Sequence, residues 1–321
     1  TLGIIMYALP MYVAGFTQAS MWKQFNPDGT LTYGNFLETV SEIIPMYWMR
    51  AIGGTLFLTG MLIMVYNVII TIINGSKVSD ELAEAAALQN VSKRRVAGEG
   101  WHTWLERKPI KLTIFATIAI LIGGIVQIIP TIMVESNIPT ISSVKPYTPL
   151  ELQGRDIYTR EGCYTCHSQM IRPFRSETER YGEYSKAGEF VYDHPFQWGS
   201  KRTGPDLARE GAGNLKKSNT WHYNHLEEPG AISTGSVMPS YSFLIDDNLD
   251  TASTPLKINA MRTLGVPYEA NYASKANADL MVQAKLISDD LQKEGIKVAP
   301  NKEIIALIAY LQRLGTDITK K

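Results

Sequence analysis

The sequence is poor in cysteine and histidine and has no excess of charge. Its 321 residues include two cysteines and five histidines, with 31 basic against 31 acidic side chains. Two cysteines are too few for a disulfide framework. Zero net charge argues against nucleic-acid binding, which calls for a basic surface. A basic leader, short apolar core and small-residue cleavage site, the marks of a signal peptide, are also missing from the start. Thr1 opens directly into LGIIMYALPMYVAGF, with no initiator methionine. That opening is read as the C-terminal part of a longer polypeptide.

What the sequence has is apolar length. Three runs are expected to be membrane helices: Thr1 to about Met21, about Met46 to Ile73, and about Leu112 to Val134. Each approaches or exceeds the roughly 20 apolar residues that cross a bilayer core. Pro10 and Pro130 lie inside such runs, which membrane helices tolerate when neighbours satisfy the freed carbonyls. A buried helix of a large soluble protein would not explain three runs separated by polar loops.

Loop charge predicts orientation. The first loop has Lys23 as its only basic residue, whereas the second carries Lys77, Lys93, Arg94, Arg95, Arg107, Lys108 and Lys111. The positive-inside rule places the second loop in the cytoplasm. Everything after about Glu135 is then extracytoplasmic, in the periplasm of a Gram-negative cell. Arg50, just inside the second span, reads as a snorkelling side chain. DELAEAAALQN (Asp80 to Asn90) reads as a short polar connector helix. SNIPTISSVKPYTP (Ser136 to Pro149) reads as an extended linker lifting the following domain off the membrane.

The remainder is polar enough for a domain in water. A helix is predicted from about Pro149 to Glu161, running straight into CYTCH. A stretch rich in Gly, Pro and aromatic residues follows to about Phe243, which favours loops over a sheet. Another helix is expected from about Asn277 to Glu294. In KEIIALIAYLQRLG (Lys302 to Gly315), Ile304, Ile305, Leu307, Ile308, Leu311 and Leu314 recur at helical spacing, with Gly315 as the cap.

Both cysteines fall in one motif, Cys163-Tyr164-Thr165-Cys166-His167. Three chemistries compete for it: a redox dithiol, half of a zinc site, or covalent attachment of haem c. Structural zinc needs four ligands. It would have to recruit two of His167, His194, His222 and His225, which are not spaced like a finger. Two thiols three residues apart suit the two vinyl groups on one porphyrin edge, with the next histidine held against the iron. The predicted extracytoplasmic side favours haem. A second axial ligand is commonly methionine, and Met170, Met238, Met261 and Met281 follow the linker. Met170 is too near His167 to reach the far face, and Met281 sits in a predicted helix. Met238 lies in the loop sequence GSVMPSYSFL.

Longer stretches carry a resemblance. GRDIYTREGCYTCHSQMIRPFRSETERYG, GEFVYDHPFQWGSKRTGPDLARE and SVMPSYSFL resemble the mono-haem cytochrome c subunit of cbb3-type cytochrome c oxidases, from about Pro109 to the end. YALPMYVAGFTQASMWKQF and ETVSEIIPMYWMRAIGGTLFLTGMLIMVYNVI resemble the last two helices of that enzyme's catalytic subunit. The resemblance implies a fusion of the two subunits. It implies a mostly α fold: residues 1–73 from the catalytic subunit, a cytoplasmic linker 74–111, a membrane anchor 112–134, and a periplasmic cytochrome c domain 135–321. It implies one covalent haem c on Cys163 and Cys166, with His167 and Met238 as axial iron ligands. Pro205, in RTGPDL, would accept the haem histidine's proton through its carbonyl.

The function implied is electron transfer. Electrons would come from a donor cytochrome c, generally the di-haem subunit. They would continue to a haem b and then to a high-spin haem b and copper centre that reduces dioxygen to water with proton pumping. Those last centres belong to the missing part of the catalytic subunit: no histidine precedes His102, so no catalytic residue is expected in this chain. Implied partners are the rest of the catalytic subunit, the di-haem subunit, a small membrane subunit and lipid of the bacterial inner membrane, with no nucleic acid. Arg172, Arg175 and Arg180 are candidate contacts for the haem propionates, Arg172 and Arg175 foremost, against a bland reading as a surface charged against Glu177, Glu179 and Glu183. His194, His222 and His225 are expected to hydrogen-bond within loops. Asp250 to Pro300 is long for a small cytochrome and reads as an elaboration packing on a neighbour. Two other functions compete: a monohaem cytochrome serving another haem reductase such as nitric oxide reductase, and a zinc- or disulfide-based assembly factor.

Overall fold

The structure is a computed structural model and describes residues 1–75, 98, 100–133, 140–199, 201–213 and 216–319. Among these, the fold is helical. The only β-pairings are isolated bridges, Phe25 with Leu31 and Asn248 with Lys302. The connector helix expected at Asp80 to Asn90, and the charges at Lys77, Lys93, Arg94 and Arg95, lie outside the described residues. The chain divides into two compact units, residues 1–60 with 140–321, and residues 61–139.

Three helices are long and apolar enough to cross a membrane: α1 (Leu2–Trp22), α2 (Phe36–Asn74) and, in the second unit, α4 (Pro109–Met133). The middle one starts at Phe36 rather than near Met46, where the apolar run begins. Its first turns contain Glu38, Ser41 and Glu42, which hide it from a hydropathy reading. They are helical because Thr39, Val40 and Ile43 form a buried stripe. α1 and α2 meet where neither has a side chain. A Cβ on Gly53 would lie 2.6 Å from the Met6 carbonyl carbon, and one on Gly3 would lie 2.7 Å from the Phe57 nitrogen. Small residues at such crossings let membrane helices approach closely. Arg50 is held over the Tyr7 ring, 5.3 Å from its centroid, so it also bridges α2 to α1. In the second unit, the short helix α3 (Trp101–Glu106) turns Trp104 under Lys111 of α4, at 5.4 Å.

The polar domain is built on the crossing of α5 (Pro149–Arg160) and α12 (Glu303–Arg313). α5 starts with a capping box, Thr148 with Glu151, and a proline in its first turn, which satisfies amide donors that a helix start leaves open. α12 is buried on all sides from Glu303 to Leu311, as a central helix must be. At the crossing, a Cβ on Gly154 would lie 1.9 Å from the Ala306 carbonyl oxygen. Leu150, Ile157 and Tyr158 of α5 pack with Ile304, Leu307 and Ile308 of α12. Gly315, just past α12, has φ +79°, the left-handed conformation in which glycine ends helices.

Shorter helices wrap this pair: α6 (Arg175–Tyr181), α7 (Asn219–Glu227), α8 (Pro229–Ile232), α9 (Phe243–Asp246), α10 (Thr254–Thr263), α11 (Tyr272–Lys293) and α13 (Thr316–Thr319). The segment from Asp250 to Pro300, expected to pack on a neighbour, folds back on its own domain. Ile258 and Met261 of α10 and Ala276 of α11 bury Leu152 of α5. Leu280, Ala284 and Leu291 carry the same face of α11 into the main core. The end of the expected linker is likewise tied down. The Lys145 amide donates to Asp317 at 3.0 Å, and Arg313 donates to the Lys145 carbonyl at 2.9 Å.

Gly154→Ala should therefore be severe. The new methyl would meet backbone, which cannot swing aside, and overpacking a tight core costs about 1–3 kcal/mol or more. Thermal unfolding of the purified protein in detergent should show a lower midpoint; an unchanged midpoint would mean that the crossing is looser than described.

Candidate functional site

α5 ends at Arg160, and Gly162 (φ +70°) turns the chain into a single 3-10 turn, Cys163–Thr165. The His167 amide closes this turn on the Cys163 carbonyl at 2.9 Å. Both cysteines are free. Burial pushes the Cys163 thiol up to about 12, while Cys166 is exposed.

His167 is fixed by the RTGPDL loop. Its Nδ1 lies 2.8 Å from the Pro205 carbonyl oxygen. A carbonyl can only accept, so Nδ1 is the protonated nitrogen and Nε2 keeps its lone pair. Burial holds the ring's pKa below the ordinary histidine value, outweighing the Pro205 bond and nearby Asp206, so the ring is neutral. Gly204 packs flat against it: a Cβ there would lie 2.3 Å from His167 Cε1. Two backbone bonds hold the two segments together, Gly204 N–H to the Cys166 carbonyl at 2.9 Å and Leu207 N–H to the Ser168 carbonyl at 2.8 Å.

Behind this loop is a buried charge network that local sequence spacing does not reveal. Asp206 Oδ2 accepts from Ser168 Oγ at 2.6 Å, from the Met170 amide at 2.9 Å and from Arg202 at 3.2 Å. Its Oδ1 accepts from the Ala208 amide at 2.9 Å. Arg202 also donates to both oxygens of Glu177. Burial pushes Glu177 up, but its bonds to Arg202 and to the Arg172 amide win, and its pKa lies below the usual glutamate value. Glu177, expected on a charged surface, is buried in this network. The network reaches α1, since Gln18 Nε2 donates to the Arg202 carbonyl at 2.9 Å.

These elements enclose a cavity of about 1450 Å³, counting the space open to solvent. Cys163, Cys166, His167, Pro205 and Met238 all line it, as do Asn35, Phe36, Leu37 and Val40 from the start of α2. Of the four methionines after the linker, Met238 alone is in the wall; Met261 is buried in the α10 cluster and Met281 sits on α11. The Met238 loop is pinned by the Tyr241 amide on the Leu226 carbonyl at 2.8 Å and by Ser240 Oγ on the Glu227 carbonyl at 2.6 Å.

Arg172 and Arg175 are not in the wall. Arg172 stands 3.7 Å from Glu177. Arg175 donates to the Gly29 carbonyl at 3.0 Å and lies over the Phe25 ring. Arg180 donates to the carbonyls of Gly34 and Tyr33 at 2.9 and 2.8 Å. Two of these arginines thus clasp the loop between α1 and α2. His194 is also outside the cavity. His222 and His225 line it from helix α7 rather than from a loop, and neither ring has a hydrogen-bond partner for His222 Nε2 or His225 Nδ1. Among the described residues, no group of three or more His, Cys, Asp or Glu side chains is arranged to hold a metal ion.

Comparison with known proteins decides the family. The model of the family described as "Cytochrome C oxidase, mono-heme subunit/FixO" matches residues 102–318, more than half of the chain. The chain belongs to this family. That family is the mono-haem subunit of cytochrome c oxidase, and the chain carries three helices long and apolar enough to cross a membrane. Other relatives are a cytochrome c oxidase subunit 1 homolog of Agrobacterium tumefaciens, 52% identical over 73 residues, and one of Azorhizobium caulinodans, 47% identical over 87 residues. A cbb3-type cytochrome c oxidase subunit of Stutzerimonas stutzeri is 45% identical over 67 residues. These matches take in 23%, 27% and 21% of the chain and only 13%, 16% and 14% of the respective relatives.

The cavity residues fit a haem: two free thiols, an imidazole with a free lone pair, a thioether, apolar walls, and buried polar atoms still in need of partners.

Arg202→Met should leave Glu177 and Asp206 buried without their counter-charge, at a cost of about 3–5 kcal/mol. The wild-type protein should also lose stability in acid. A carboxylate whose folded pKa is depressed stabilises the fold above its unfolded pKa, and that contribution vanishes as pH falls through the folded value. Denaturant unfolding at pH 7 and pH 4 should show Arg202→Met less stable than wild type at pH 7 and the gap narrowing at pH 4.

Proposed function

We propose that this chain is the electron-entry portion of a cbb3-type terminal oxidase, with a covalent haem c in the cavity beside α7. The observation that carries the reading is the single cavity shared by Cys163, Cys166, His167 and Met238. A haem bound there exchanges one electron at a time through its iron. Cys163 and Cys166 would tether it by thioether bonds. His167 would ligate the iron through Nε2, with its ring oriented by the Pro205 carbonyl. Met238 would supply its sulfur as a second ligand, one that raises the potential. Apolar side chains of the wall, Leu207, Leu226 and Leu311 among them, would limit the access of water to the iron.

Residues 1–73 are read as the last two helices of the catalytic subunit, fused through 74–111 to the anchor 112–134 and the cytochrome domain 135–321. Support comes from relatives of two kinds: the mono-haem family matches residues 102–318, and other cytochrome c oxidase subunits, two of them named subunit 1 homologs, match 67 to 87 residues of the chain. In this reading, the start of α2 in the cavity wall puts catalytic-subunit residues directly beside the haem. Electrons from a donor cytochrome, the di-haem subunit, pass on toward the haem b and the haem b–copper centre of the remaining catalytic subunit. There dioxygen is reduced to water with proton pumping. The basic loop faces the cytoplasm and the cytochrome domain the periplasm, on the bacterial inner membrane.

Two variants test the site. Cys163→Ala with Cys166→Ala should abolish haem staining on a denaturing gel, whereas wild-type protein stains; absence of stain from wild type would overturn the reading. Met238→Leu should keep covalent haem but lower its potential or change its spin state. A spectrum and potential identical to wild type would show that another group ligates the iron.

A further inference from the structure

A haem carries two carboxylates, and a carboxylate drawn into a largely apolar cavity must be met by donors. The arginines that suit this chemistry on paper, Arg172 and Arg175, do not reach the cavity. Its wall does contain two deeply buried side chains with the opposite problem. Tyr181 is 6% exposed and His222 2% exposed, and both line the cavity. Tyr181 Oη and His222 Nε2 are buried with no hydrogen-bond partner among the described residues. Buried polar atoms in native proteins are nearly always paired, and each exception calls for a cause. Of the other polar groups of the wall, Asp206 accepts four hydrogen bonds and His167 Nδ1 is on Pro205; His225 Nδ1 is also without a partner, but its ring is only half-buried.

We propose that Tyr181 and His222 are the side chains that hydrogen-bond the haem carboxylates. The inference rests on the haem reading above and adds the residues that hold the cofactor's polar edge. The protonation states suit it. Burial pushes the Tyr181 hydroxyl up to about 12, so it stays a donor. Burial, then His225 and Lys217, push His222 down to about 4, so the ring is neutral and gives one N–H. Glu210 Oε1 stands 4.0 Å from His222 Nε2, beyond hydrogen-bond reach. Burial lifts Glu210 to about 7 against the pull of Lys217, which weakens it as a competing anion. Lys217, also in the wall, adds positive charge while its ammonium lies over the Trp221 ring.

Losing either donor leaves carboxylate charge less compensated near the iron, which favours the oxidised state. The test uses the haem-loaded full chain in detergent. Resonance Raman spectroscopy reads the haem propionate bending modes, and a spectroelectrochemical titration reads the midpoint potential. Tyr181→Phe deletes only the hydroxyl and keeps the ring against Arg202. His222→Leu deletes the imidazole, and His222→Gln returns an N–H donor. With covalent haem verified by staining, Tyr181→Phe and His222→Leu should each shift a propionate mode and lower the potential, and His222→Gln should move both back toward wild type. If His222→Leu does not retain haem, Tyr181→Phe decides. Propionate modes and potential unchanged in every haem-loaded variant would overturn the assignment. Wild-type protein without covalent haem would instead overturn the haem reading itself.

Discussion

The close crossing of α5 over α12 at Gly154 is the constraint on which the polar domain depends. With no side chain at 154, the α5 backbone rests against the Ala306 carbonyl, and Tyr158 can stack beside Tyr310 with ring centroids 5.4 Å apart. Arg160, at the end of α5, is paired with Glu303 at the start of α12. These contacts fix where α5 stops, and hence where Cys163 and Cys166 stand. The same crossing aims the far end of α12 at the site. Tyr310 Oη donates to Gln169 Oε1 at 3.1 Å, two residues past His167, and Leu311 forms part of the cavity wall. The Cys-x-x-Cys-His motif is read from its spacing, but its position in space comes from the packing of α5, which leads into it, on α12, where Arg160 meets Glu303 across 143 positions.

The histidine is then set by backbone rather than by side-chain partners. Gly204 lies flat on the ring and Pro205 receives its proton. The loop that carries them is braced by Asp206, Arg202 and Glu177, charges that are costly to bury singly and stable only as a set. That set continues to Gln18 and to the Trp22 ring, 5.8 Å from the Arg202 guanidinium. The second ligand loop also touches the apolar helices, since a Cβ on Gly235 would lie 3.4 Å from Ser41 Oγ of α2. Both faces of the cavity are thus registered against α1 and α2, as the proposed electron relay toward that part of the chain would need.

Much of this was legible in sequence, and the part that was not has a common cause. The apolar runs announced the spans, helical spacing announced α12, and Cys-x-x-Cys-His, GPDL and VMPSY marked residues that do meet in one cavity. These are local signals, readable within a few residues. The Arg202–Glu177 pairing spans 25 positions and looks in sequence like ordinary surface charge. Arg175 and Arg180 reach back 146 positions to the loop after α1, a contact that no local spacing announces. The first turns of α2 were missed because a buried stripe, not mean hydropathy, makes them helical. His222 and Tyr181 carried no sequence signal, because what distinguishes them is the want of a partner in three dimensions.

The central claim is that one haem sits between His167 and Met238 in this cavity. Near-infrared magnetic circular dichroism of the oxidised, purified protein tests it most directly, because that region reports the pair of axial ligands. The account predicts one low-spin haem with the histidine–methionine signature. A bis-histidine or high-spin signature in the wild-type protein would contradict it, and would point to His222 or His225 rather than Met238 as the group facing the iron.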